Sequence, residues 1–97
     1  MAFEVFLSPQ AIEDLNGLPG YVRAEVHEQI RVHLSHEPMK TSRNRIKRLR
    51  GLEQPQYRLR VGDIRVFYDV VGSEVHVLTI VSKEQADKWL RESGVPG

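Results

Sequence analysis

Three arginines, Arg58, Arg60 and Arg65, stand at spacings that a β-hairpin would bring onto one surface, with Phe67 two positions beyond the last of them. Planar guanidinium forks suit phosphate oxygens, and an adjacent ring offers a surface on which a base could stack. Asp69 and His76 supply an acid and an imidazole of the kind that moves protons near neutral pH. An exposed cross-strand pair of this type is common without chemistry, and it would lie roughly 13 Å from Arg65 at ~3.3 Å per residue. Tyr57 and Tyr68 read as packing residues, and Trp89 as the seal between a last helix and a sheet. His27, His33, His36 and His76 show no metal-ligand spacing, and the absence of cysteine removes disulfides, thiolate zinc sites and a cysteine nucleophile. No cofactor or metal is expected.

The turns decide which of these residues meet. Gly62-Asp63 and Gly72-Ser73 are two-residue hairpin signals, best matched by type II′ turns. The first sets Val61 opposite Ile64, Arg60 opposite Arg65, Arg58 opposite Phe67 and Tyr57 opposite Tyr68. The second sets Val71 opposite Glu74, Asp69 opposite His76, Tyr68 opposite Val77 and Phe67 opposite Leu78. One face then carries Tyr57, Leu59, Val61, Ile64, Val66, Tyr68, Val70, Val75, Val77, Thr79 and Val81 as the core. The other carries Arg58, Arg60, Arg65, Phe67, Asp69, Glu74, His76, Leu78 and Ile80. Like charges directly opposite each other destabilise a sheet, so an anionic ligand is expected over these arginines.

Around the hairpins, Phe3 to Leu7 alternates as a short strand, and Ser8-Pro9 opens a helix whose inner face is Ile12 and Leu15. A second helix runs from Tyr21 to Ser35, with Val22, Val26, Ile30 and Leu34 every four residues until Pro38 stops it. Met39 to Arg45 reads as an exposed basic loop. Strands follow over Ile46 to Leu52, Tyr57 to Val61, Ile64 to Val71 and Glu74 to Val81. Ser82 with Gln85 has capping-box spacing and starts a short last helix, after which residues 94 to 97 are expected to fray. The expected fold class is α+β: an N-terminal strand, two antiparallel helices, a four-stranded antiparallel meander and a short C-terminal helix. The chain has 97 residues, with 40% hydrophobic and 28% charged content, which predicts a single domain over 1–97.

The net charge of +1 conceals a strong asymmetry. Residues 40 to 65 hold nine basic and two acidic side chains, a balance of +7, and the rest of the chain carries −6. A polyanion meets the local field within a Debye length of ~8 to 10 Å, so the basic zone counts for more than the total. Arg43, Arg45, Lys47, Arg48 and Arg50 are therefore candidate RNA-binding residues, with Phe67 and Lys83 beside them. An acidic protein partner would satisfy the same electrostatics. No apolar run is long enough for a membrane span and the N-terminus lacks signal-peptide features, so a cytoplasmic protein is expected.

The order of elements, with Leu49-Arg50-Gly51, then Tyr57-Arg58-Leu59-Arg60, then Arg65-Val66-Phe67-Tyr68, resembles the RelE/ParE superfamily, the toxin half of bacterial toxin-antitoxin modules. The resemblance implies a RelE-like fold, a cognate antitoxin as partner and no cofactor. In the RelE-like branch it implies ribosome-dependent cleavage of messenger RNA without a metal, by attack of the 2′-hydroxyl on the adjacent phosphate. Arg58, Arg60 and Arg65 then match that branch's catalytic positions, and Arg50 its "LRG" arginine. The ParE-like branch instead poisons DNA gyrase. A toxin-fold module that only binds its antitoxin is the third alternative. RelE-like toxins also carry an arginine and a tyrosine after the last strand; here Glu84 and Leu90 stand near those places. Lys83, Glu84, Asp87 and His76 are candidates to take over proton transfer.

Overall fold

The computed structural model describes residues 2–97. Strand β1 (Glu4–Leu7) leads into helix α1 (Pro9–Asn16). Ser8 caps that helix: its Oγ accepts from the Ala11 amide at 3.0 Å and donates to the Leu78 carbonyl at 2.8 Å, which also ties the helix start to the sheet. Helix α2 (Gly20–Gln29) continues as a π-helical turn over Ile30–Leu34. Then come β2 (Ile46–Arg48), β3 (Leu52–Gln54), β4 (Tyr57–Val61), β5 (Ile64–Val71), β6 (Glu74–Ser82), α3 (Lys83–Ser93) and β7 (Val95–Pro96). Among the described residues, no helix is long and apolar enough to cross a membrane.

The main sheet has the order β1-β6-β5-β4-β2. Its antiparallel part is the expected meander, and β1 adds to it in parallel against β6, from Glu4 beside Glu74 to Leu7 beside Val77. Helices α1 and α2 cover one face, where Ala11, Val26, Ile30 and Leu34 pack on Leu59, Val66, Tyr68, Val75 and Val77. The Tyr68 hydroxyl donates to the Pro38 carbonyl at 2.6 Å, which fixes the chain leaving α2 to the core. Burial, and then Tyr57, raise the Tyr68 pKa.

Both hairpins have the expected register at their turns, including Arg60 opposite Arg65 and Arg58 opposite Phe67. Gly62 and Gly72 have φ of 57° and 61°, and among the described residues only glycines take positive φ, as type II′ turns require. The β5–β6 register holds from Val71–Glu74 to Tyr68–Val77 and then shifts, so that Phe67 pairs with Thr79 rather than Leu78. The extra residue is a β-bulge, and it turns Ile80 into the core, where Val81 was expected. Asp14 on α1 stabilises it: its carboxylate accepts from Thr79 Oγ1 at 2.7 Å and from the Ile80 amide at 3.0 Å.

Three other expectations are corrected. The strand expected over residues 46 to 52 ends at Arg48, and Leu52–Gln54 instead pairs with Val95–Pro96, so the C-terminal residues form a small second sheet rather than fraying. Ser82 is the N-cap of α3, but its side chain makes no capping hydrogen bond. The Lys83 amide donates instead to the Asp63 carbonyl at 2.7 Å.

Candidate nucleic-acid interface

Cross-strand pairing places the basic residues in two rows on the sheet face away from α1 and α2. In one row Arg60 stands opposite Arg65, and the Arg60 amide donates to the Arg45 carbonyl at 2.8 Å, which brings Arg45 alongside. In the next row Lys47 pairs with Arg58, and Arg58 with Phe67. The rows come from β4, where Arg58 and Arg60 alternate with the buried Leu59 and Val61.

Helix α3 lies across part of this face. Trp89 stacks on Phe67 with ring centroids 5.3 Å apart and planes 7° from parallel. Phe67 is only 1% exposed, so its ring is no open platform for a base; it anchors α3. The sealing role expected of Trp89 is observed. Beside this stack lies a groove of about 320 Å³, lined among others by Lys47, Arg58, Arg65, Lys83 and Asp87. Lys83 is held there by Asp63 in the β4–β5 turn, with 3.4 Å between Nζ and Oδ1.

Arg58 is the cation of the groove with an unmet buried donor. It is half-buried, and its Nε has no hydrogen-bond partner. Burial, then the charges of Arg65 and Arg60, lower its pKa from the ordinary arginine value. An arginine stays protonated under such pressure, so the position favours a bound anion. Arg65 donates through Nη1 to the carbonyls of Gly62 at 2.8 Å and Ile64 at 3.1 Å, which holds its guanidinium at the turn.

Not all the expected residues meet. Arg60 lines a second groove, of about 510 Å³, with Arg43 and Arg45. Arg48 donates to the Gln56 carbonyl at 2.8 Å, and its guanidinium lies 5.2 Å from the Tyr57 ring centre, so its contacts are within the chain. Arg50 is exposed in the connection after β2 and lines neither groove. Asp69 and His76 are cross-strand neighbours as expected, but Asp69 is 6% exposed and is not an exposed partner of the imidazole. Its carboxylate accepts from Gln54 Nε2 at 2.6 Å and from the Gln56 amide at 2.8 Å, fastening the β3–β4 connection. His76 lies 3.0 Å from Glu74 and stacks on Phe6. Among the described residues, no three His, Asp or Glu side chains gather as metal ligands would.

Of the two acids that the sequence offers for proton transfer, Glu84 and Asp87, Asp87 lines the groove, through its helical spacing with Lys83, four residues earlier. Glu25 and Gln29 on α2, which line the second groove, carried no sequence signal of their own.

Residues 5–87 match the family described as the ParE toxin of the type II toxin-antitoxin system, parDE, and the chain belongs to it. Among solved structures, it is similar to the archaeal RelE–RelB complex from Pyrococcus horikoshii, with 26% identity, 86% of this chain and 97% of that one covered, and a TM-score of 0.70. The RelBE2 toxin-antitoxin complex from Mycobacterium tuberculosis gives 26% identity, coverage of 84% and 99%, and a TM-score of 0.65. A RelE mutant of E. coli in the free state, at 22% identity with 92% of each chain covered and a TM-score of 0.68, shares the fold. No curated protein matches the chain by sequence.

Proposed function

We propose that this protein is a toxin that cleaves messenger RNA on the ribosome and is neutralised by a cognate antitoxin, in the cytoplasm. The observation that carries this reading is the half-buried Arg58, with an unpartnered Nε, beside Arg65 and Lys83 in one groove. Attack of a 2′-hydroxyl on the neighbouring phosphate builds negative charge on the phosphorane oxygens, which Arg58 and Arg65 offset. The hydroxyl proton passes to the Asp87 carboxylate, and the departing 5′-oxygen takes a proton from Lys83; the products are a 2′,3′-cyclic phosphate and a free 5′-hydroxyl. Arginine cannot take the first proton, because its pKa lies above ~12. The partner assignment draws on the RelE–RelB and RelBE2 complexes, which are toxin-antitoxin assemblies.

The test is induction of the protein in cells, with mapping of new RNA 5′ ends. Cuts within reading frames are expected, and Arg58→Ala should slow cutting by roughly 100- to 1000-fold, the usual effect of removing one transition-state donor. Intact transcripts during growth arrest would remove the nuclease reading. A second reading, poisoning of DNA gyrase, is favoured by the ParE family match and by Glu84 near the place of an arginine. It predicts loss of supercoiling activity and a DNA-damage response with messenger RNA intact.

A further inference from the structure

Arg60 stands opposite Arg65 and its charge acts on Arg58, yet it also lines the second groove, beyond the one that Arg58 and Arg65 share. The second groove's other basic residues lie on a loop with a defined shape. Ser42 Oγ accepts from the amides of Arg45 at 3.1 Å and Ile46 at 3.3 Å, and the Ser42 amide donates to the Ile46 carbonyl at 2.9 Å. The segment expected to be an exposed basic loop is exposed, and a turn at Ser42 fastens it to the start of β2. It holds Arg43 and Arg45 in one groove with Arg60 and with Glu25 and Gln29 of α2.

We propose that Arg43, Arg45 and Arg60 form a separate anchoring site for the backbone of single-stranded RNA flanking the segment in the first groove. This rests on the RNA reading above and extends it: one strand would cross β4, meeting Arg58 and then Arg60 about 6.6 Å further on at ~3.3 Å per residue. The lining chemistry favours RNA over an acidic peptide. Peptide docking leans on apolar and aromatic anchors, whereas here Val61 is the one apolar residue among arginines, Ser42, Asn44 and the α2 polar side chains. Guanidinium, hydroxyl and amide groups together are what phosphates, sugars and base edges take. Glu25 on the same wall opposes an acidic peptide as it does a phosphate, but its carboxylate can also accept from a base amine or a 2′-hydroxyl.

The experiment measures binding of uncleavable 2′-O-methyl RNA oligonucleotides, 3 and 12 nucleotides long, to the full chain released from its antitoxin. Wild type is compared with Arg43→Ala/Arg45→Ala and with Arg43→Lys/Arg45→Lys. Each phosphate contact on a single strand contributes a slope of ≈ −0.7 in log K against log salt, so losing two should flatten the slope by about 1.4 and cost about 25-fold at ~0.1 M salt. That loss is expected for the 12-mer and not the 3-mer, and the lysine pair should restore most of it. Unchanged 12-mer binding overturns the proposal, as does an equal loss for both lengths, or a loss confined to antitoxin binding. The nuclease reading is scored separately. A protein that binds RNA through both grooves but leaves messenger RNA intact keeps the anchoring site and loses the nuclease. One that cuts, with RNA affinity indifferent to Arg43 and Arg45, does the reverse.

Discussion

Replacing Arg60 by threonine should make the protein more stable and less toxic. Arg60 and Arg65 are paired directly across β4 and β5, and Arg45 lies beside Arg60 through a backbone hydrogen bond, so three like charges crowd one row. Opposed like charges cost a sheet ~0.2 to 1 kcal/mol, and a β-branched residue suits the strand that Arg60 leaves. For a domain of this size ~1 kcal/mol moves the melting temperature by ~4 to 8 °C, which predicts a rise of about 1 to 8 °C for Arg60→Thr at low salt. Arg60 is exposed, so the repulsion is open to screening. Raising salt from ~0.1 M to ~1 M shortens the Debye length from ~10 Å to ~3 Å, and most of the gain should vanish. Thermal unfolding followed by circular dichroism at both salt concentrations measures this directly. A variant less stable than wild type at low salt, or a gain that persists undiminished at ~1 M, would refute the view that this row is a strained anion site.

Three further outcomes are expected. Tyr68→Phe removes the 2.6 Å hydrogen bond to the Pro38 carbonyl inside the core. It should lower stability by about 1 to 3 kcal/mol in urea unfolding, while toxicity at equal folded fraction stays unchanged. Gly62→Ala forces a side chain into φ of 57° at the turn that sets the arginine register. A loss of roughly 1 to 3 kcal/mol is expected, read as a lower melting temperature. Burial, and then Arg45, hold the His33 pKa below 6.5, so an NMR titration should give a midpoint under that value and Arg45→Ala should move it upward. Because the folded pKa is the lower one, neutral His33 contributes its stability above the unfolded pKa, and the contribution is lost as pH falls through the folded value.

The hairpins were legible because a two-residue turn opening with glycine leaves one register, and that register alone brings Arg58, Arg60 and Arg65 to one face. What the sequence hid depends on distant partners. The bulge at Leu78 persists because Asp14, on a helix more than sixty residues earlier, bonds Thr79 and Ile80. It reverses the facing of Ile80 and Val81, which strict alternation cannot anticipate. Phe67 looked available because its strand position faces away from α1 and α2, and only the return of α3 with Trp89 covers it. Asp69 looked exposed for the same reason, until the β3–β4 connection folded over it. The turn before β2 was equally hidden, because the partners of the Ser42 hydroxyl are the Arg45 and Ile46 amides, and an amide reads the same in every residue but proline.

The pairing of β1 with β6 orders events during synthesis. Glu4–Leu7 leaves the ribosome long before Glu74–Ser82 exists, and its sheet neighbour is about seventy positions downstream. Closing so large a loop is slow, and until it happens Phe3, Val5 and Leu7 have no sheet to lie against. The nascent chain must therefore keep its earliest-made strand waiting, exposed to chaperones, while the sheet is completed. The last strand of the main sheet to be made is thus the one that the first strand needs as its neighbour.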